Sequence, residues 1–134
     1  MNIYAPLKTS LKSVAAIALT LGFASTAFAA DHTSEFGVTS NATRSIRSAA
    51  SAFAKGDFAN SEAYSRRALK EGLKKSRKAV AYSNLCAALG AQGELEAAQE
   101  ACASALKIAP KNEQALANQA ALKAHAGSEM EAEG

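Results

Sequence analysis

The two cysteines are the residues of this chain with the most definite chemistry. Cys86 and Cys102 stand 16 positions apart and are its whole cysteine content. In an oxidising compartment an even pair in a small chain typically forms a disulfide, whereas a redox site would need a Cys-x-x-Cys motif, which is absent. The alternative is a pair of buried thiols that pack as compact apolar side chains. We predict the disulfide, because a thin, alanine-rich core needs a covalent link, on the order of 3 kcal/mol for a loop of this size.

The two histidines belong to no catalytic or metal-binding pattern. His32 lies before the first predicted helix and His125 at the end of the last one. The sequence shows no cluster of histidines with carboxylates and no nucleophile–base pair, and neither histidine has a second metal ligand at helical spacing within the predicted helices. We therefore predict no enzyme activity, no metal and no cofactor.

A basic stretch is the third group of residues that could have a functional role. Arg66, Lys70 and Lys74 are four residues apart, which places them on one face of a continuous helix. Such a face would dock an acidic protein or, less favoured, the anionic headgroups of a membrane surface; the simpler alternative is a solvated helix face. Nucleic acid is disfavoured, because the stretch has no interleaved aromatic residues and because the start of the chain has the pattern of an export signal.

Residues 1–29 have the pattern of a cleaved signal peptide. Lys8 and Lys12 precede the apolar run of residues 14–23, and Ala27-Phe28-Ala29 forms a small-x-small cleavage site. A membrane anchor is the alternative, but the 17 uncharged residues from 14 to 30 are at the lower limit for crossing a bilayer. No lipid-attachment cysteine or twin arginine is present, so the pattern predicts Sec export, cleavage after Ala29, and a periplasmic or secreted product.

The mature chain is nearly neutral but unevenly charged. Without residues 1–29 the net charge falls from +3 to +1, which removes any argument for nucleic-acid binding from the overall charge. Residues 44–78 carry a net +7, and residues 79–134 a net −4. Two halves of opposite net charge permit head-to-tail association of two copies, so a homo-oligomer is one expectation.

A repeat organises the rest of the chain. Gly56 and Gly93 lie 37 residues apart, and at the same offset Ala68-Leu69-Lys70 matches Ala105-Leu106-Lys107. A fixed period of this size indicates a repeated supersecondary unit, and apolar residues recur at helical spacing on both sides of each glycine. Helices are predicted at residues 41–54, 58–75, 79–91, 94–109 and 113–125. With no strand-like alternation, the sequence predicts an all-α fold.

Three residues mark where these helices begin or end. Asp57 and Asn112 are placed to cap the N-termini of the helices that follow them. Pro110 ends the fourth helix, because proline lacks the backbone N–H and clashes with the preceding turn.

Residues 79–112 resemble a tetratricopeptide repeat. The matching positions are Tyr82, Leu85, Cys86, Leu89, Ala98, Cys102, Ala105 and Pro110. Residues 42–75 fit the same pattern in a degenerate form, and residues 113–125 fit the first helix of a third unit, a capping helix. The resemblance implies a short α-solenoid of about two and a half hairpins at residues 42–125. We expect a flexible N-terminal arm at residues 30–41 and a flexible acidic tail at residues 126–134.

The same resemblance implies a groove that binds extended peptide segments of partner proteins. Its candidate residues are Arg47, Ser83, Asn84 and Asn118. An asparagine can both donate to and accept from a peptide backbone, and an arginine can bind a carboxylate; the alternative is asparagines that are merely solvated. The sequence thus favours a non-catalytic protein- or peptide-binding module. A small structural or assembly subunit of a cell-envelope complex is the alternative function.

Overall fold

Five helices account for most of residues 35–132, the part of the chain that the computed structural model describes. They are α1 Arg44–Ala54, α2 Phe58–Leu69, α3 Lys75–Ala91, α4 Leu95–Ile108 and α5 Glu113–Ala132. No strand occurs within these residues, so the all-α prediction is confirmed. The predicted signal peptide and its cleavage site lie outside the described residues. None of the described helices is both long and apolar enough to cross a membrane.

The predicted helix ends are confirmed where a cap or a breaker marks them. The carboxylate of Asp57 accepts a hydrogen bond from the Asn60 backbone N–H at 3.1 Å, and the Asn112 side chain accepts one from Ala115 at 3.0 Å. Helix α4 ends at Ile108, just before Pro110. Each N-cap satisfies one of the backbone donors that a helix N-terminus leaves without a partner.

The second helix is shorter than predicted, and this changes the basic surface. Lys70 is the C-cap of α2, Gly72 follows with φ of +65°, and Lys74 is the N-cap of α3. A left-handed residue cannot continue an α-helix, so the chain turns there. The prediction that Arg66, Lys70 and Lys74 share one helix face is therefore wrong. The three exposed side chains belong to a helix, a cap and the start of another helix.

Helix α3 is the centre of the packing and contacts each of the other four helices. One cluster of buried residues, Ile46, Ala68 and Ala81, joins it to α1 and α2. A larger cluster joins it to α4 and α5 and contains these residues: Phe36, Phe53, Leu85, Cys86, Ala87, Leu89, Ala98, Ala101, Cys102 and Leu122. Alanines with almost no exposed surface line the α4 side. Small side chains there allow the helix axes to approach closely.

The C-terminal helix is longer than predicted. Helix α5 continues to Ala132, so the described part of the acidic tail at residues 126–132 is helical and not an irregular segment. Alanine and glutamate are strong helix formers, and no proline interrupts them. The Ser128 hydroxyl also donates to the His125 carbonyl at 2.8 Å.

Candidate functional site

Residues 35–40, which we call the arm, lie extended against α3 and α5. They form part of the segment 30–41 that was expected to be flexible, and for the described residues that expectation is wrong. The physical reason is that the arm buries an aromatic ring, since Phe36 is only 4% exposed, and that it gains backbone hydrogen-bond partners. A segment with both gains can offset the conformational entropy that it loses.

Two asparagine side chains bind the arm through its backbone. The Asn84 side chain accepts from the Thr39 N–H at 2.8 Å and donates to the Thr39 carbonyl at 2.8 Å. The Asn118 side chain accepts from the Gly37 N–H at 2.8 Å and donates to the Gly37 carbonyl at 3.0 Å. In an extended chain, residues i and i+2 present their backbone groups on the same edge. The two asparagines therefore hydrogen-bond to the same edge of the arm.

Asn84 and Asn118 are fully buried and occupy equivalent positions, 34 residues apart, on α3 and α5. A buried amide has to find partners for its donors and its acceptor, or its desolvation is costly. Asn118 also donates to the Ser83 carbonyl at 3.2 Å, which links it to α3. The arm supplies the remaining partners. With the arm removed, these groups of both side chains would have to be satisfied by water or by another chain.

The ring of Phe36 fills a slot between α3 and α5. A Cβ atom at Gly90 would lie 2.6 Å from two atoms of this ring, so the helix needs a glycine at that point. The His125 ring stacks on Phe36 with centroids 5.6 Å apart and planes inclined by 7°. His125 Nε2 also lies 2.9 Å from the Glu35 carboxylate. The slot thus holds a flat ring, with an acidic side chain at its edge.

The position after the ring is close to the side chain of Gln114. A Cβ atom at Gly37 would overlap with Gln114 Nε2. Gln114 in turn donates to the Asn118 side chain at 3.4 Å. We call Asn84, Gly90, Gln114, Asn118 and His125 the arm seat, because these residues of α3 and α5 contact or accommodate the arm.

The predicted groove residues are only partly brought together. Ser83, Asn84 and Asn118 lie together at the arm, with Ser83 acting through its carbonyl. Arg47 is exposed on α1 and donates to the Ala42 carbonyl at 2.8 Å. Among the described residues its guanidinium is therefore tied to its own helix start and not to the arm.

Sequence reasoning missed Phe36, Gly90, Gln114 and His125 as members of the site. The sequence offers a signal for two of them, Gly90 and Phe36, and none for the other two. Gly90 stands inside a helix, where glycine costs about 1 kcal/mol relative to alanine and needs a packing reason. Phe36 is the one aromatic residue in a segment of mostly small or polar residues. The glycine makes room for the ring and the ring gives the glycine its packing reason, but only the folded chain places the two residues together.

A comparison of the chain with known protein families, with curated proteins and with solved structures finds no match.

The disulfide prediction is confirmed. Cys86 and Cys102 are bonded, with their Cα atoms 5.2 Å apart, and the bond joins α3 to α4. Both cysteines are fully buried. A structural disulfide of this kind indicates an oxidising, non-cytoplasmic location. Since Cys86 lies two residues after Asn84, the bond also holds the helix that carries one half of the asparagine pair.

The charged side chains near α2 form ordinary surface contacts. Arg66 lies 2.8 Å from Glu62, whose other oxygen accepts from the Gln92 side chain at 2.9 Å. The hydrogen bond from Arg66, and after it the one from Gln92, lowers the pKa of Glu62 below its ordinary value. Among residues 35–132, no group of three His, Cys, Asp or Glu side chains is placed to hold a metal ion.

Proposed function

We propose that this protein is an exported, non-catalytic binding module of the tetratricopeptide type that holds an extended polypeptide segment across α3 and α5. The observation that carries the proposal is the pair of asparagines. Each binds both backbone groups of one arm residue, at alternate positions of an extended chain. This is the geometry that a peptide-binding groove requires, with the protein's own arm as the bound segment.

The spacing of the pair supports a repeat-based groove. Asn84 and Asn118 are separated by 34 residues, which is the length of one tetratricopeptide unit. One contact per unit allows each additional repeat to bind two further residues of an extended ligand, because alternate residues share an edge. Backbone contacts give affinity without fixing the ligand's sequence.

Export follows from the signal-peptide pattern of residues 1–29 and is part of the proposal. It is supported by the Cys86–Cys102 disulfide, which needs an oxidising compartment to form. In this proposal the mature chain starts at Ala30 and works in the periplasm or outside the cell. The arm then lies close to its N-terminus.

The test converts the arm into a separate ligand. A protease site is inserted between Ser40 and Asn41, both exposed, and the mature protein is cleaved after it has folded. A labelled synthetic peptide of residues 31–40 should then exchange with the cleaved arm, and fluorescence anisotropy measures its Kd. Asn84→Ala and Asn118→Ala should each weaken binding by about fivefold to 150-fold, because each leaves backbone groups of the peptide unpaired.

Gln99→Ala, which removes an exposed amide on α4, is the matched control and should leave the Kd unchanged. An arm that never exchanges after cleavage would contradict peptide binding. That result would favour the alternative, a structural subunit in which the arm is a permanent part of the fold.

A further inference from the structure

We propose that the arm seat selects partner segments in which an acidic residue, an aromatic residue and a glycine follow one another, and that the arm competes with such partners from within the chain. The inference rests on the proposed peptide-binding function and goes beyond it by naming the partner's chemistry. In the arm itself this pattern is Glu35-Phe36-Gly37. Each of its three positions meets a different feature of the seat.

The aromatic position is the most selective. The Phe36 ring is 4% exposed and belongs to the larger core cluster. Its slot is flat, because Gly90 removes a side chain on one side and the His125 ring stacks on it. An alanine at this position would leave the slot empty, whereas a branched aliphatic side chain would lose the parallel stacking.

The glycine position is selective to a smaller degree. A side chain there meets the end of Gln114, which has to move away and give up its contact with Asn118. Because the obstacle is the far end of a flexible side chain, we expect a preference and not an exclusion.

The acidic position contributes least. The Glu35 carboxylate lies 2.9 Å from His125 Nε2, but its side chain is 49% exposed. A contact of this kind is screened by solvent and adds little affinity. The contact instead selects the orientation of the bound segment, because it favours segments with the acidic residue on the N-terminal side of the aromatic ring.

Competition from within the chain follows from the connection between the arm and α1. Only residues 41–43 separate the arm from the helix. A short tether gives a local concentration on the order of millimolar, so a free ligand has to compete against it. A second copy of this chain offers the same segment, so exchanging arms between two copies gains no new contact and costs the entropy of association. The proposed partner is a different polypeptide that carries this pattern and displaces the arm through additional contacts beyond it.

The experiment uses the cleavable chain described above and four labelled peptides of residues 31–40. They are the native peptide and its Phe36→Ala, Gly37→Ala and Glu35→Gln versions. We expect the Phe36→Ala peptide to bind at least about tenfold more weakly than the native one. The glycine change should cost a few-fold and the acid change less than about fivefold.

Two further measurements complete the test. His125→Ala in the protein should weaken the native peptide but have little effect on the Phe36→Ala peptide, since the stacking partner is then already absent. The native peptide should also bind the uncleaved protein at least about tenfold more weakly than the cleaved one.

The outcomes separate the two proposals. If all four peptides bind equally and the asparagine variants weaken all of them, peptide binding is correct and the aromatic selection is wrong. If no peptide exchanges with the cleaved arm, both proposals fail. If the uncleaved protein forms a dimer in which the arms are exchanged, the occupant is a second copy and the proposal of a different partner is overturned.

Discussion

The two hairpins of this protein share a backbone plan but differ in what holds them together. Both turn at a glycine with positive φ, 77° at Gly56 and 82° at Gly93. The α1–α2 hairpin packs through a small cluster around Ile46 and through an edge-on contact between Phe53 and Phe58, and α2 buries Ser61 and Ser65. The α3–α4 hairpin has two leucines, a disulfide and the ring of Phe36. The same repeat is thus built with an apolar core in one copy and a partly polar one in the other.

The comparison shows that the repeat determines where the helices turn, whereas the individual side chains determine how stable each hairpin is. The period sets where the two hairpins turn, because it repeats the glycines with positive φ. Stability instead follows the amount of apolar surface and the covalent links, which differ between the copies. We therefore expect amide hydrogen exchange in α1 and α2 to be faster than in α3 and α4.

The largest expected effect is the loss of the arm's ring. Phe36→Ala should lower the free energy of unfolding by about 3–5 kcal/mol, the range for removing a buried phenylalanine. The loss should appear mainly as faster exchange in α3 and α5, which form the slot. Urea unfolding followed by circular dichroism measures the total. Phe58→Ala, at a half-buried ring packed edge-on against Phe53, is the comparison and should cost less. Equal losses would mean that the arm is not part of the core.

Removing the disulfide should make the two hairpins more alike. Cys86→Ala combined with Cys102→Ala should lower the free energy of unfolding by roughly 3 kcal/mol, because the unfolded chain regains the freedom that the cross-link removes. Exchange in α3 and α4 should then approach that in α1 and α2. A reducing agent should destabilise the natural protein and leave the double variant unaffected. If the double variant unfolds at the same urea concentration as the natural protein, the covalent link is not what distinguishes the hairpins.

Gly90→Ala sets two effects of opposite sign against each other. Alanine inside α3 should stabilise the helix by about 1 kcal/mol, but its Cβ would lie 2.6 Å from the Phe36 ring. Displacing a buried ring typically costs 1–3 kcal/mol. We expect net destabilisation, and NMR chemical-shift changes centred on Phe36 and His125.

The background of Phe36→Ala is the control for this prediction. There the ring is absent, and Gly90→Ala should become stabilising. If Gly90→Ala destabilises the protein equally with and without the ring, the glycine serves some other contact.

Ser61→Ala should strengthen the weaker hairpin. The Ser61 hydroxyl is fully buried and has no hydrogen-bond partner among the described residues, whereas the neighbouring Ser65 hydroxyl donates to the Ser61 carbonyl at 2.9 Å. Removing a buried group without a partner, in a helix, should raise the free energy of unfolding by about 1 kcal/mol. Ser65→Ala removes a satisfied hydroxyl and should give a smaller gain or a loss. A destabilising Ser61→Ala would show that its hydroxyl has a partner in solution.

The existence of the five helices and of the disulfide could be predicted from the sequence, because both depend on local or paired signals, but not every helix end could be. Helical spacing, Asp57, Asn112 and Pro110 act within a few residues of where they stand. The end of α2 was misjudged, because Lys70 to Lys75 have good helix propensity apart from Gly72, whose left-handed conformation ends the helix. A single glycine inside a helical pattern is ambiguous until its conformation is known.

The sequence predicted part of the arm seat but not the arm as the segment bound to it. The resemblance to a tetratricopeptide repeat implied a backbone-binding groove with Asn84 and Asn118, but nothing near Glu35-Phe36-Gly37 indicates what that segment contacts. Gly37 and Asn118 are 81 residues apart in sequence, and no local pattern links them. Polar composition predicted a flexible arm, and one buried ring with four backbone hydrogen bonds outweighs that composition.

The smallest expected effect concerns a side-chain contact between the two hairpins. Glu62 on α2 accepts from Gln92 at the end of α3, as well as from Arg66 on its own helix. These hydrogen bonds lower the pKa of Glu62 in the folded state. A lowered carboxyl pKa stabilises the fold above the pKa of the unfolded chain, and this stabilisation is lost as the pH falls through the folded value. Because Arg66 is largely exposed, the contribution should be below about 1 kcal/mol.

Gln92→Ala should therefore raise the pKa of Glu62 toward its ordinary value and reduce the loss of stability between neutral and acidic pH. An NMR titration of the Glu62 side chain measures the first effect, and urea unfolding at several pH values measures the second. Gln99→Ala removes an exposed amide that does not contact Glu62 and should change neither. If Gln92→Ala leaves the titration of Glu62 unchanged, this contact does not couple the hairpins. Their connection then depends on the packing of α2 against α3 alone.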